Sequence, residues 1–322
     1  MTKDKAEHTE AGTKYGKEGA KLYASVRHGP DGVFLDPAFL PHISNLHGEV
    51  VVDIGAGAGP WTIHAVENGA GRVIAVDYQM AMLENATTAI GERELNQPGV
   101  KDRISVIQAD AAYLPIPSEC CDKAISINVG CNLPNTQEVD SKTVGFGPHF
   151  TEAIKVLKPG GEFVVTAPIN FGTVFTDGSV TEAEVIIQIQ EKLAAIPDHN
   201  DKQSVVDILK SFNRVYRATF AKRGEKWELI TDEDQLTPGE DILRKLPGLV
   251  VPNRYHREDD YIEEAKSVGF EAKETVKMCF QTEEERTDYN ARVAEDKRLG
   301  PEYVGKSPFV IFTFVKPNKK EF

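Results

Sequence analysis

Nine residues constrain this chain more than any others: Val51-Val52-Asp53-Ile54-Gly55-Ala56-Gly57-Ala58-Gly59. They begin apolar and β-branched, as a strand buried on both faces should. Three glycines at alternate positions then break the strand. Pro60-Trp61-Thr62-Ile63-His64-Ala65-Val66 reads as the first turns of a helix, where proline is tolerated because a first-turn N–H has no partner. Strand, glycine turn and helix in that order place a nucleotide-like ligand against backbone N–H groups.

The same alternation continues downstream. Arg72–Val76 predicts a second strand ending at Asp77, and Met80–Ile90 a helix. Ile104–Gln108 predicts a third strand ending near Asp110, and Lys123–Asn128 a fourth. A helix over His149–Leu157 leads through Lys158-Pro159-Gly160-Gly161 to a fifth strand, Glu162–Ala167. This rhythm means a parallel sheet covered on both faces. After Tyr255–Val268 (helix), Phe270–Cys279 and Pro308–Val315 add two strands, with a charged helix over Thr282–Arg298 between them. The predicted fold is α/β, a doubly wound, mostly parallel seven-stranded sheet.

Between residues 171 and 252 the alternation stops. Thr181–Ala195, Lys202–Thr219 and Gly239–Leu246 read as helical, separated by polar and proline-bearing links. The expectation is a helical cap inserted into the core. Three parts follow: an N-terminal helical lid (1–48), a core (49–170 plus 253–318) and a helical insertion (171–252) that contributes to the acceptor pocket.

The glycine turn departs from the dinucleotide fingerprint. G-x-G-x-x-G would need a glycine at position 60, which is Pro60. The pattern is instead D-x-G-x-G-x-G. An acid two residues before the first glycine would repel a pyrophosphate. It suits a ligand with a cationic ammonium end, and the alternative is that Asp53 caps the turn's own N–H groups.

These residues resemble motif I of the class I methyltransferases that use S-adenosylmethionine. Four further stretches are similar to that family in order and spacing: Val73-Ile74-Ala75-Val76-Asp77; Gln108-Ala109-Asp110-Ala111; Leu114-Pro115-Ile116-Pro117 followed by Cys121-Asp122-Lys123-Ala124-Ile125; and Leu157-Lys158-Pro159-Gly160-Gly161-Glu162. The resemblance implies S-adenosyl-L-methionine as cofactor. It implies that Asp53, Gly55, Ala56, Gly57 and Gly59 cradle it, that Asp77 takes both ribose hydroxyls and that Asp110, with Ala111, meets the adenine amino group. Tyr78 and Met80 lie beside the adenine, Met80 either packing on its face or starting a helix. Asn128 and Val129 pass the sulfonium end. Family members often close the site with an N-terminal helix, which here would present Tyr15, Tyr23, Arg27 and His28. Asn170 and Phe171, after strand five, would line the acceptor pocket.

Methyl transfer needs alignment more than a fixed catalytic set, because the donor is already activated. No catalytic residue is assigned; His28 and His149 are the candidates nearest the expected mouth, with His256 a third. The N/D-P-P-Y/F tetrapeptide that marks amino-group methylation of nucleobases is not at the fourth strand's exit, which reads Asn128-Val129-Gly130-Cys131. The insertion's aromatics (Phe212, Tyr216, Phe220, Trp227) fit either an apolar acceptor or the insertion's own core.

A net charge of −13 argues against nucleic acid as a partner. The four cysteines, two of them adjacent, have no metal spacing and no disulfide framework, so no metal centre is expected. No apolar run reaches a membrane span, and the polar N-terminus lacks a signal peptide's apolar core; a cytoplasmic protein without a membrane partner is expected, as monomer or homodimer. The leading function is methyl transfer to oxygen, nitrogen or carbon of a small molecule. The alternatives are a protein or peptide methyltransferase and, against Asp53 and Pro60, a nicotinamide-dependent oxidoreductase.

Overall fold

The computed structural model describes residues 7–9, 12–14, 39–139, 142–196, 202–246, 249–293 and 298–318. Val50–Ile54 forms β1, its last four residues buried on both faces by the apolar run. Pro60–Glu67 forms α1, entered through left-handed Gly59 with Pro60 in the first turn. Then come β2 (Arg72–Asp77), α2 (Met80–Asn96), β3 (Ile104–Gln108) and β4 (Cys121–Ile127). α3 (Phe146–Val156) runs directly into β5 (Leu157–Pro168), so the Lys158–Gly161 turn is part of that strand.

The insertion contains β6 (Phe175–Thr176), α4 (Glu182–Ala194), α5 (Lys202–Lys210), β7 (Val215–Arg223), β8 (Lys226–Ile230), β9 (Asp241–Leu246) and β10 (Leu249–Arg254). The chain closes with α6 (Glu258–Ser267), β11 (Glu271–Lys277), α7 (Glu283–Arg292) and β12 (Phe309–Val315).

The main sheet has seven strands in the order β11-β12-β5-β4-β1-β2-β3. β1 pairs β2 and β4 in parallel, while β12 runs antiparallel to both β5 and β11. From β1 the chain moves outward to β3, then returns to β4 and moves outward the other way. The order therefore reverses between β1 and β4, and ligands of open α/β sheets bind at the carboxyl ends of the strands at such a point. Apolar clusters cover both faces. Phe146, Phe150, Tyr261 and Phe312 belong to one, and Phe39, Ile43, Trp61 and Phe309 to the other.

The wholly helical insertion is corrected. Its helices α4 and α5 pack on a five-stranded antiparallel sheet of β6, β7, β8, β9 and β10. The segment read as one helix over Lys202–Thr219 ends at Lys210, and β7 starts at Val215. Arg223 pairs with Lys226 across a two-residue loop in which Gly224 is left-handed, φ +59°. The segment read as a helix over Gly239–Leu246 is β9. The insertion's aromatics mostly serve its own packing. Phe220 is fully buried beside Val185 and Leu193, with Phe212 and Trp227 against them, and Tyr216 joins Phe175 in the main core.

Candidate donor site at the strand ends

β1 and β4 end at the reversal point, the parallel β2 and β3 end on the same side of the sheet, and the glycine turn is tied there by β2. Gly55 N and Ala56 N donate to Val76 O at 2.7 and 2.8 Å. Gly55, Gly57 and Gly59 all have left-handed φ, +74°, +57° and +79°, which glycine adopts without the Cβ penalty. Their surroundings separate them. A Cβ on Gly55 would collide with the Val129 side chain, and one on Gly59 would lie 3.0 Å from Ala86 Cβ. A Cβ on Gly57 would meet nothing within 4 Å. Gly55 and Gly59 are packing glycines; Gly57 faces open space.

Asp77 holds the same turn. Its Oδ2 accepts Gly57 N–H at 2.9 Å and its Oδ1 accepts Gln79 N–H at 2.8 Å. Burial raises its pKa, against the lowering effect of those two N–H groups. A carboxylate offers about four lone-pair sites, so two backbone bonds leave its hydrogen-bonding capacity partly unused in this arrangement. Asp110 shapes the end of β3: its Oδ1 accepts Ala112 N–H at 2.8 Å. Ala111 faces the core at 8% exposure. Around this end Tyr78, Met80 and Tyr113 are 40%, 50% and 40% exposed, an unusual concentration of uncovered large side chains. Tyr113 was not singled out from sequence; its only signal is adjacency to Asp110.

At the end of β4, Asn128 is left-handed (φ +54°), and its N–H donates to Thr166 Oγ1 of β5 at 3.0 Å. Val129 packs back on Gly55. Asp53 is turned inward, 1% exposed, with Oδ2 accepting the Thr62 hydroxyl at 2.6 Å. This bond braces the turn against α1, and Thr62 is a partner sequence reading missed.

His149 does not lie at a mouth. It is fully buried, with Nε2 3.0 Å from Ser126 Oγ, and burial lowers its pKa to about 4. Full burial removes it from the mouth where a base candidate would stand. His256 is also enclosed, stacked 4.0 Å from Phe146, its pKa lowered to about 4 chiefly by burial. Tyr15, Tyr23, Arg27 and His28 lie outside the described residues. Asn170 holds Ser307 O with its side-chain amide at 2.5 Å, and Phe171 is buried edge-on to Tyr255 at 5.2 Å.

Among the described residues no group of three or more His, Cys, Asp or Glu could hold a metal ion, and no helix is long and apolar enough to cross a membrane.

Residues 51–161 match the family described as "Methyltransferase domain". A ubiquinone/menaquinone biosynthesis C-methyltransferase UbiE of Saccharophagus degradans is 29% identical over 120 residues, 37% of this chain and 42% of that protein. A protein of Oryza sativa subsp. indica named for histone-arginine methyltransferase CARM1 is 31% identical over 129 residues, 40% of this chain and 22% of its own length. The chain thus spans less than half the length of these relatives. A structure from Listeria monocytogenes, described as an S-adenosylmethionine dependent methyltransferase, superposes with a TM-score of 0.51 at 15% identity, over 87% of this chain and 96% of that one. That likeness concerns the fold. Together with the strand order, it shows that the chain has the fold of class I methyltransferases, with residues 51–161 matching the methyltransferase-domain family.

Proposed function

We propose that this chain transfers a methyl group from S-adenosylmethionine to a small molecule. The observation that carries the reading is the open space over left-handed Gly57, whose N–H is held by Asp77, beside the point where the sheet order reverses. A backbone cradle that a Cβ would fill, tied to a half-buried carboxylate, fits a nucleoside with vicinal hydroxyls.

When bound, the donor supplies a methyl on a sulfonium sulfur, which an acceptor lone pair takes as the C–S bond breaks. The chain's residues align and desolvate. Asp77 accepts the ribose hydroxyls, Gly57 admits the ligand, and Gly55, Ala56 and Gly59 keep the turn's shape. Tyr78, Met80, Asp110 and Ala111 surround the base. Asn128 and Val129 border the methionine end, Asp53 holds the turn from behind, and Tyr23 and Arg27 are assigned to the lid. We take 49–170 with 253–318 as the donor-holding unit, 1–48 as its lid, and 171–252 as the acceptor side. No side chain is assigned as a base.

Support for a small acceptor comes from the insertion, whose sheet faces the strand ends rather than extending a nucleic-acid module. The acidic charge, −13, favours one other reading, a basic protein or peptide acceptor. The test is calorimetric titration with S-adenosylhomocysteine, followed by transfer of labelled methyl into a cell extract. Binding in the micromolar range and label in the small-molecule fraction are expected. No binding sinks the reading; label confined to protein moves it to the peptide alternative.

A further inference from the structure

The residues that leave β4, Asn128 to Asn132, are gripped from two sides. On one side Val129 packs on the glycine turn, where a Cβ on Gly55 would lie 2.3 Å from its Cγ2. On the other side Asn132 meets the insertion. Its Oδ1 accepts Asn253 Nδ2 of β10 at 2.7 Å, and its own Nδ2 turns back to donate to Asn128 O at 2.8 Å. Asn253 Oδ1 accepts Arg244 Nη1 of β9 at 3.0 Å. Ile242 stands opposite Asn253 across β9 and β10, so Arg244, two residues on, shares that face.

The direction of this relay is fixed at both ends. A backbone carbonyl only accepts, so Asn132 presents an N–H to Asn128 O. A guanidinium only donates, so Asn253 presents its oxygen to Arg244. The two amides then meet nitrogen to oxygen, each in the single orientation that its outer partner allows. Asn253 is 2% exposed, so water does not replace a bond lost there.

The held segment has little freedom of its own. Asn128 is left-handed at φ +54°, and its N–H donates to Thr166. A Cβ on Gly130 would lie 2.6 Å from Tyr261 Oη, so the turn sits directly on that side chain. A left-handed residue other than glycine persists where its surroundings hold it. One of the holds here comes from Asn253, 121 residues beyond Asn132 in the chain. A displacement of β10 is thus passed by hydrogen bonds to the Asn128–Val129 turn, and by packing from Val129 to Gly55.

We propose that Asn132 and Asn253 are positioning residues: they hold the Asn128–Val129 turn in register with the glycine turn, so that the insertion sets how tightly the methionine end of the donor binds. This rests on the methyl-transfer reading above. The test uses the full chain and its Asn132→Leu, Asn253→Leu, doubly substituted and Leu243→Ala variants. Leucine has a similar volume to asparagine and no polar atom. Leu243 is 1% exposed in the insertion's own apolar core, so truncating it loosens the insertion without touching the relay. S-adenosylhomocysteine and 5′-methylthioadenosine, which lacks the amino-acid end, are titrated calorimetrically into each. Asn132→Leu and Asn253→Leu are each expected to bind S-adenosylhomocysteine more weakly by about fivefold or more. The double variant stays within about twofold of Asn132→Leu, since both act along one path. 5′-Methylthioadenosine affinity stays within twofold of wild type throughout. Leu243→Ala melts at a lower temperature and still binds both ligands within twofold of wild type. Unchanged S-adenosylhomocysteine affinity in Asn253→Leu overturns the proposal, as do losses that multiply in the double variant. Equal losses for the two ligands, or a loss in Leu243→Ala matching that of Asn253→Leu, also overturn it, since the role would then be structural only. A wild-type chain that binds neither ligand removes the methyl-transfer reading, and this proposal with it. Should Asn253→Leu fail to fold by circular dichroism, Asn253→Asp takes its place, because it keeps the oxygen that Arg244 addresses and loses only the N–H₂.

Discussion

Alanine at Gly57 and at Gly55 separates a ligand cradle from a structural turn, because the two glycines have nearly the same backbone and opposite surroundings. Both are left-handed, at φ +57° and +74°. A Cβ in that region costs about 1–2 kcal/mol against the following carbonyl. For Gly57→Ala that is the whole folding cost, since nothing lies within 4 Å of the new methyl. For Gly55→Ala the methyl also drives into Val129, which is buried at 9% exposure, and overpacking adds about 1–3 kcal/mol. Gly57→Ala is therefore expected to melt above Gly55→Ala by several degrees. In binding the order reverses in character. The Gly57 methyl occupies space given to the donor, and if it costs about 2 kcal/mol, S-adenosylhomocysteine binds about thirtyfold more weakly. Melting of the unliganded proteins and calorimetric titration of each measure both quantities. If Gly57→Ala binds within threefold of wild type, the space beside Gly57 is not the donor's. If Gly57→Ala melts below Gly55→Ala, the packing account of the turn is wrong.

Three further outcomes follow from named contacts. Asp77→Asn keeps the shape but turns an amide N–H₂ toward one of two backbone N–H donors and removes the charge; charge-assisted bonds contribute about 1.5–3 kcal/mol each, so S-adenosylhomocysteine affinity should fall at least tenfold by calorimetry, and an unchanged affinity refutes the assignment. Thr62→Val leaves buried Asp53 without its 2.6 Å hydroxyl donor and should cost about 1–3 kcal/mol in urea unfolding, whereas a loss under 0.5 kcal/mol (about the spread of neutral surface changes) would deny the bracing role. His149 and His256 stay neutral in the fold down to about pH 4, while in the unfolded chain they take protons below about 6.5. The unfolded state then holds more protons between those values, so stability is full above pH 6.5 and declines toward pH 4, by up to about 3 kcal/mol for each histidine. Unfolding of wild type and His149→Gln from pH 7 to 4.5 checks this; His149→Gln should be less stable at pH 7 yet show a shallower decline, and parallel curves would contradict it.

The donor half of the molecule was legible because its chemistry is local. A parallel strand buried on both faces reads as an apolar run, and a left-handed turn demands glycine, so Val51–Gly59 declared itself. Asp77 and Asp110 declared themselves by ending strands. What stayed hidden depended on partners distant in sequence. No periodicity marks Thr62 as the partner of Asp53, or shows that His149 is enclosed against Ser126, or that Tyr113 stands uncovered beside Asp110.

The insertion was misread for a sharper reason. Val215–Arg223 is buried over its first seven residues, and a short fully buried strand cannot be told from a buried helix by periodicity. Asp241-Ile242-Leu243-Arg244-Lys245-Leu246 misled further, because an acid followed by paired apolar and basic residues looks like a helix opening with a solvated face. In the structure all but Asp241 are buried, on opposite faces of β9. Lys245 lies toward α4 and α5, giving its ammonium to Leu246 O at 2.7 Å, with its pKa lowered to about 8 by burial. Arg244 lies toward the β4 and β5 exits. Local rules are expected to fail where function overrides them. Two cations buried side by side in one strand are such a failure, and only Arg244 faces the strand ends. The pair that made β9 unreadable as a strand is thus accounted for by the two sides it meets, α4 and α5 on one and the β4 and β5 exits on the other.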